Sequence, residues 1–189
     1  MPKKRKKTPM QQQAQTAQRT RRRRMRLVRT IAIWTLIIGG SIAGVVFFTQ
    51  RSIEHRPGEH QNIEGRDHID PRSERPQYGT NPPTSGAHGN ALPWRVYTTE
   101  VADENAVHNL EHGGIWITYK GLDKEQVAQL ETIARRHPRS VLLSLRAAND
   151  APIAVASWGR LMKLDTVDRA KIEEYIAKNI NKSPEPLAR

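Results

Sequence analysis

Between Ile31 and Thr49 the chain reads IAIWTLIIGGSIAGVVFFT, nineteen residues without a charged side chain. At about 1.5 Å of rise per residue, a helix of that length covers roughly 28 Å, close to the hydrocarbon core of a bilayer. The flanking charge sets its direction. Lys and Arg number 31 against 19 Asp and Glu, a formal net charge of +12. Twelve of the basic residues fall in the first thirty positions, where no acidic residue occurs, and the nineteen of each sign after residue 50 cancel. Moving Arg26 or Arg29 to the bilayer centre costs about 2.5–3.5 kcal/mol each, so the basic flank is expected in the cytoplasm and the C-terminal part outside it. A cleaved signal peptide is the competing reading. It calls for a shorter apolar region and a small-x-small site after Phe48, where the chain instead reads FFTQRSIEH, so a retained single-pass anchor in the cell membrane is expected.

The anchor divides the chain. Residues 1–29 read as a disordered basic cytoplasmic tail, a lysine cluster followed by QQQAQTAQ and RRRR with no apolar period that could pack. Its expected partners are the bilayer and anionic lipid headgroups, worth about 1 kcal/mol per basic residue near the surface. Nucleic acid is the less economical reading of PKKRKK, because the charge stops where the membrane segment starts. Residues 30–50 form the spanning helix. Residues 51–76 mix charge, Pro and Gly and read as an extended stalk carrying His55, His60 and His68. Residues 77–186, about 110 positions, are enough for one core without staples. That domain must hold by its core alone, since the chain has no cysteine even though an exported compartment would permit disulfides.

Within the domain, YGTNPPTSGAHGNALPW is too rich in Pro, Gly and turn formers for regular structure, and irregular loops of this length in compact domains are usually functional or linkers. WRVYTTE reads as a short strand, VADENAVHNLEHGG as a short helix ending at Gly113, and GIWITY as a strand. Asp123 caps a helix striped by Val127, Leu130, Ile133 and Ala134, with Gln126 at the capping-box position and Pro138 beyond its end. VLLSL and IAVASW, joined through AANDAP, are expected to pair as a hairpin. Val167, Ile172, Tyr175, Ile176 and Ile180 mark a C-terminal amphipathic helix. The fold class expected is α+β: a small single-domain sandwich in the order β-β-α-β-β-α, preceded by one transmembrane helix.

Chemistry concentrates at His108-Asn109-Leu110-Glu111-His112. On a helix, positions 108, 111 and 112 share one face within a turn, and two imidazoles so placed can share a metal ion; on a strand they would lie about 13 Å apart and could not. Histidine nitrogen suits Cu, Zn, Ni or Fe and is the natural ligand where no thiolate exists. The HxxEH order also matches the inverted zinc-peptidase motif, but there a long helix carries it, whereas Gly113-Gly114 follows here at once. His88 is the best further ligand, then His68, with Met162 a possible soft ligand for Cu(I). The plain alternatives are structural: a buried His108–Glu111 hydrogen bond pinning the loop, His88 bonded to a backbone carbonyl, His68 solvated, and Met162 in the core. His137 before Pro138 reads as a surface helix terminus. Ser85 with His88 or His108 as base would make a nucleophile, although turn hydrogen bonding explains Thr84-Ser85-Gly86 equally well. No phosphate loop, nucleotide fingerprint or haem motif is present, and no organic cofactor is expected.

Three segments in order, NPPTSGAH (81–88), VHNLEHGGIWITY (107–119) and SWGRLMKLD (157–165), resemble a bacterial family of membrane-anchored domains, domain-of-unknown-function family 3105. The resemblance covers about residues 64–186. It implies the architecture above and marks His68, the Asn81–Gly86 run, His88, His108, Glu111, His112, Gly113, Trp158 and Gly159; it brings no activity with it. Ala87 stands where the family commonly shows Pro. The expectation from residues and resemblance together is a membrane-anchored extracytoplasmic domain binding a divalent transition metal, Cu or Zn, through His88, His108 and His112, with His68 or Glu111 completing or orienting the shell. The alternatives are a non-enzymatic interaction or scaffold domain, and a hydrolase using Ser85 or a metal-bound water.

Overall fold

A computed structural model of the protein describes residues 9–54, 56–70 and 73–188. Residues 1–8, with the lysine cluster, and His55 lie outside the described residues. The chain divides into two compact units, Met1–His55 and Arg56–Arg189.

The first unit is one helix, α1 (Pro9–Glu54). It is long and apolar enough over Arg21–Thr49 to cross a membrane. Of its apolar side chains, Leu36, Val45 and Phe48 are more than half exposed within the unit. The hydroxyls of Thr30, Thr35 and Ser41 donate to the carbonyls four residues back, so these hydroxyls are satisfied within the helix, as a hydrocarbon medium would require. The helix begins earlier than composition implies: residues 9–29, part of the segment that reads as a disordered tail, are helical, because their Gln, Ala and Arg are all good helix formers and no Gly or Pro interrupts the chain between Met10 and Gly39.

The second unit is the mixed α+β domain. Its elements are β1 (Glu59–His60), α2 (Asp103–Glu111), β2 (Ile115–Tyr119), α3 (Lys124–Arg135), β3 (Val141–Leu145), β4 (Ile153–Ser157), β5 (Arg160–Leu164) and α4 (Arg169–Asn179). They build one five-stranded sheet in the order β1-β5-β4-β2-β3. Side chains alternate across it. Ile115, Ile117, Val141, Leu143, Ile153 and Val155 pack with Leu130 and Ile133 of α3 and Ile172, Tyr175 and Ile176 of α4. Trp116, Leu142, Ala154 and Ala156 point the other way, against Ala106, Val107 and Leu110 of α2. Both faces are covered, which is why the central strands read as continuous apolar runs. The capping box at α3 forms as the sequence predicts: Asp123 accepts from the Gln126 amide, and the Gln126 side chain accepts from the Asp123 amide.

Strand adjacency corrects the expected hairpin. VLLSL (β3) does not pair with IAVAS (β4): β3 runs parallel to β2 on one side, and β4 runs antiparallel to β2 on the other. A parallel pair needs a crossover, and α3 supplies it. The AANDAP segment is instead bound to β2 through Asn149, whose amide donates to Thr118 Oγ1 at 2.9 Å and whose carbonyl accepts from Lys120 Nζ. The partner of β4 in a hairpin is β5, turned by Trp158-Gly159. WRVYTTE contributes a single bridge, Val96 to Leu143.

The second half of the segment read as a stalk is bound into the sheet and its loops. Glu59 and His60 pair with Leu161 and Arg160, the Gln61 amide donates to the Gly159 carbonyl at 2.9 Å, and His68 bridges His88 in parallel. These contacts are made by backbone, so a polar, Pro- and Gly-containing composition does not betray them.

Candidate metal centre

α2 carries the heart of the site. Asp103 and Glu104 lie in its first turn, where they oppose the helix dipole, and His108 lies in its last. The helix stops after Glu111, with His112 as its cap residue. Gly113 follows with φ +87°, a conformation costly for a residue with a Cβ, and a Cβ there would come within 2.9 Å of Asn181 Cα. The pair of glycines thus ends the helix and admits another stretch of chain. This is unlike the long helix on which an inverted zinc-peptidase motif works.

The loop of residues 84–89 is held against residues 61–69 by backbone bonds: Gly86 N to Gly65 O, His88 N to Asp67 O and Ile69 N to His88 O. Ser85 is buried in this arrangement. Its hydroxyl accepts from the Glu64 amide at 3.0 Å and lies 3.4 Å from the Asn62 carbonyl, so both of its bonds are structural and neither involves an imidazole. Tyr78 donates to the Ala87 carbonyl at 2.7 Å, and burial followed by nearby carboxylates pushes its phenol pKa up. Asn109, not singled out by the sequence argument although it sits inside the motif, clamps the chain just downstream. It accepts from the Leu92 amide at 2.7 Å and donates to the Leu92 carbonyl at 2.8 Å.

These contacts bring four of the seven histidines together. Ring centroids lie 4.6 Å apart for His68 and His88, 5.0 Å for His68 and His108, 5.0 Å for His88 and His108, and 4.5 Å for His108 and His112. The donor atoms of His68, His88 and His108 all lie within 4.8 Å of one another, as do those of His108, Glu111 and His112. The remaining described histidines stand apart from the cluster: His60 is exposed on β1, and His137 pairs with Glu173 at 2.9 Å at the end of α3. Met162 packs against the core on the α3–α4 face of the sheet.

Ring orientation carries the chemical information. His88 Nδ1 lies 2.8 Å from the Gly86 carbonyl and His108 Nδ1 2.6 Å from the Gly89 carbonyl. A carbonyl only accepts, so each Nδ1 carries the proton and donates, and in the neutral ring Nε2 is left as a lone pair facing the cluster. Metal-bound histidine usually has its other ring nitrogen held in this way, by a carbonyl or carboxylate that fixes the tautomer and the ring. His108 Nε2 and His112 Nε2 are 3.1 Å apart, and His88 Nε2 and Glu111 Oε2 are 3.0 Å apart. Two atoms bound to one ion at about 2.0–2.1 Å, with angles between about 90° and 110°, are separated by about 2.9–3.4 Å. Both separations fit.

His88 is 0 % and Glu111 1 % exposed, yet His88 Nε2 and Glu111 Oε2 make no hydrogen bond, even to each other. Buried polar atoms left so cost about 1–3 kcal/mol each. Burial, and then the neighbouring His108, hold the His112 imidazole below its ordinary pKa, which favours the neutral form that a ligand needs. Trp158, largely buried, stands edge-on to His88 with ring centroids 6.3 Å apart and closes one side of the cluster. One further acid was not anticipated: Glu185 Oε2 lies 3.4 Å from His112 Nε2. Nothing in its local sequence, SPEPL, marks it as a donor.

The atoms that could hold an ion are imidazole nitrogens with a buried carboxylate, a combination that would suit Cu, Zn, Ni or Fe better than the oxygen-preferring Ca or Mg. No curated protein and no solved structure matches the chain. The family model described as Protein of unknown function (DUF3105) matches residues 68–189, a span that contains the four clustered histidines, Glu111 and Glu185. The chain belongs to that family of uncharacterised domains.

Proposed function

We propose that this protein is a single-pass membrane protein whose extracytoplasmic domain binds a divalent transition metal, Cu or Zn, through His88, His108 and His112, with His68 and Glu111 completing the shell. The observation that carries the reading is the pair His88 Nε2 and Glu111 Oε2: 3.0 Å apart, both buried, and without hydrogen-bond partners. A lone pair and a carboxylate oxygen repel at that separation, and a cation between them turns the repulsion into coordination. The two Nδ1 bonds to backbone carbonyls support it, because they fix the rings before any ion arrives. The location rests on the twelve basic residues before α1's apolar stretch, which favour a cytoplasmic N-terminus and give the tail anionic lipid headgroups as partners.

Metal analysis of the full-length protein, purified in detergent without a histidine tag, tests the reading. Bound Cu or Zn near one equivalent, or affinity tighter than about micromolar on titration, is expected. Absence of both overturns it. A second reading has its own support: the His108 Nδ1 bond ties the Gly89 carbonyl to α2 and the His88 Nδ1 bond closes the loop on its own Gly86 carbonyl, as a scaffold domain with purely structural histidines would have them. It predicts that His108→Ala lowers thermal stability equally with and without added metal. The hydrolase reading through Ser85 loses its main support, because that hydroxyl is committed to the backbone of residues 62 and 64.

A further inference from the structure

The cluster has buried and open members. His88 and Glu111 are buried, whereas His68 is exposed, the side chain of His112 is 27 % exposed and that of Glu185 is 49 % exposed. Glu185 arrives on the chain that follows α4, and that chain docks on the carbonyls left unpaired where α2 ends. The Asn181 amide donates to Gly113 O at 2.8 Å, the Glu185 amide to Glu111 O at 3.1 Å, and the Leu187 and Ala188 amides to His112 O at 3.0 and 2.9 Å. Asn181 also donates from its side chain to the Ala188 carbonyl at 2.8 Å, which closes the strap on itself. Its φ of +56° makes the turn that aims the strap at α2, a conformation asparagine tolerates better than most residues. The strap therefore grips the backbone of two residues, Glu111 and His112, whose side chains belong to the cluster.

We infer that Glu185 is an additional, exchangeable metal ligand, and that the strap from Asn181 to Ala188 governs how fast the ion enters and leaves. This rests on the metal-binding reading above. Its 3.4 Å separation from His112 Nε2 is at the long end of the range for two ligands of one ion, and its half-exposed carboxylate can give way to water without opening the core. The other ligands set whether the ion is held, and Glu185 sets its residence time. A site built this way suits a protein that passes metal on, since release needs one exposed carboxylate to swing out and not the core to open.

The test uses full-length protein in detergent loaded with Zn(II), with release followed as transfer to excess chromophoric chelator. Glu185→Gln keeps the shape and removes the charge, and Asn181→Ala loosens the strap without touching a donor. Both are expected to keep one bound Zn(II) and to release it about tenfold or more faster than the parent, in line with loss of one ligand or its support. Metal-free Glu185→Gln is expected to melt as the parent does, a readout that a merely structural ion pair would shift. Release from Glu185→Gln at the parent rate overturns this inference and leaves the binding site standing. A parent protein that binds neither Zn(II) nor Cu(II) overturns both.

Discussion

Glu111→Gln separates metal coordination from a buried ion pair by the sign of its effect. Glu111 Oε2 and His88 Nε2 face each other at 3.0 Å with both side chains buried, and each lacks a hydrogen-bond partner. A glutamine at 111 can present its amide N–H to the imidazole lone pair. It replaces two unsatisfied atoms with one neutral hydrogen bond. Two buried unsatisfied groups, costing about 1–3 kcal/mol each, are relieved, and the second amide N–H of the glutamine is left unpaired in their place, so the metal-free domain should gain about 1–3 kcal/mol net. For a domain of this size that is roughly 3–12 °C in Tm. The same change removes an anionic ligand, so the stabilisation by metal, about 2.7 kcal/mol at a free concentration a hundredfold above Kd, should largely vanish. Thermal unfolding of full-length protein, followed by near-ultraviolet circular dichroism with chelator and with Zn(II), reads both effects. The parent should melt lower in chelator and rise with metal; the variant should start higher and stay flat. If His88 and Glu111 are instead an imidazolium–carboxylate pair, breaking it costs about 3–5 kcal/mol and the variant melts lower in chelator. That outcome, with a parent indifferent to metal, would refute the reasoning.

Because Trp158 lies 6.3 Å from His88 between ring centroids, Cu(II) bound at the cluster should quench its fluorescence at one equivalent, and the quenching should disappear in His88→Ala. For the metal-free protein, the depressed pKa of His112 gives a pH dependence of definite sign. Below its ordinary value of 6.5 the unfolded state binds the proton more readily than the folded one, so stability is full above that value and falls as pH drops from about 7 toward 5. Tm measured across that range should decline on the acid side, less steeply in His112→Gln; a flat profile refutes the assignment. Gly113→Ala puts a Cβ at φ +87° and 2.9 Å from Asn181 Cα, so it should destabilise by about 1–3 kcal/mol in a denaturant titration, metal or no metal. The chain has no cysteine, which makes topology easy to probe: a single cysteine at exposed Lys124 should react with a membrane-impermeant maleimide in spheroplasts, and one at Arg5 should react only after lysis.

Some of the architecture is legible in the chain because it depends on local pattern. The apolar stretch of α1, the capping box of α3 and the stripe of α4 announce themselves, and the i, i+4 spacing of His108 and His112 needs only one helical turn to bring two Nε2 atoms to 3.1 Å. Strand partners are another matter. GIWITY, VLLSL and IAVASW are all short and apolar because all are buried on two faces, and such runs carry no mark of which lies beside which. β5 was hidden because only part of its length is buried, and β1 because it pairs by backbone alone.

The candidate site divides along the same line. Sequence determined which residues are capable of the chemistry: four histidines and a glutamate in short segments, in a chain without thiolates, behind a helix long and apolar enough to span a membrane and flanked by basic residues. Tertiary structure decided what that capability amounts to. Backbone bonds from residues 65–69 fold the PPTSG loop so that His68 and His88 face α2, carbonyls of Gly86 and Gly89 choose the tautomer, and burial strips His88 and Glu111 of other partners. It also carried Glu185 to His112 from the far end of the chain. Hydrogen bonds to backbone leave no residue signature, and desolvation belongs to a position in space, so neither can be read before the chain is folded.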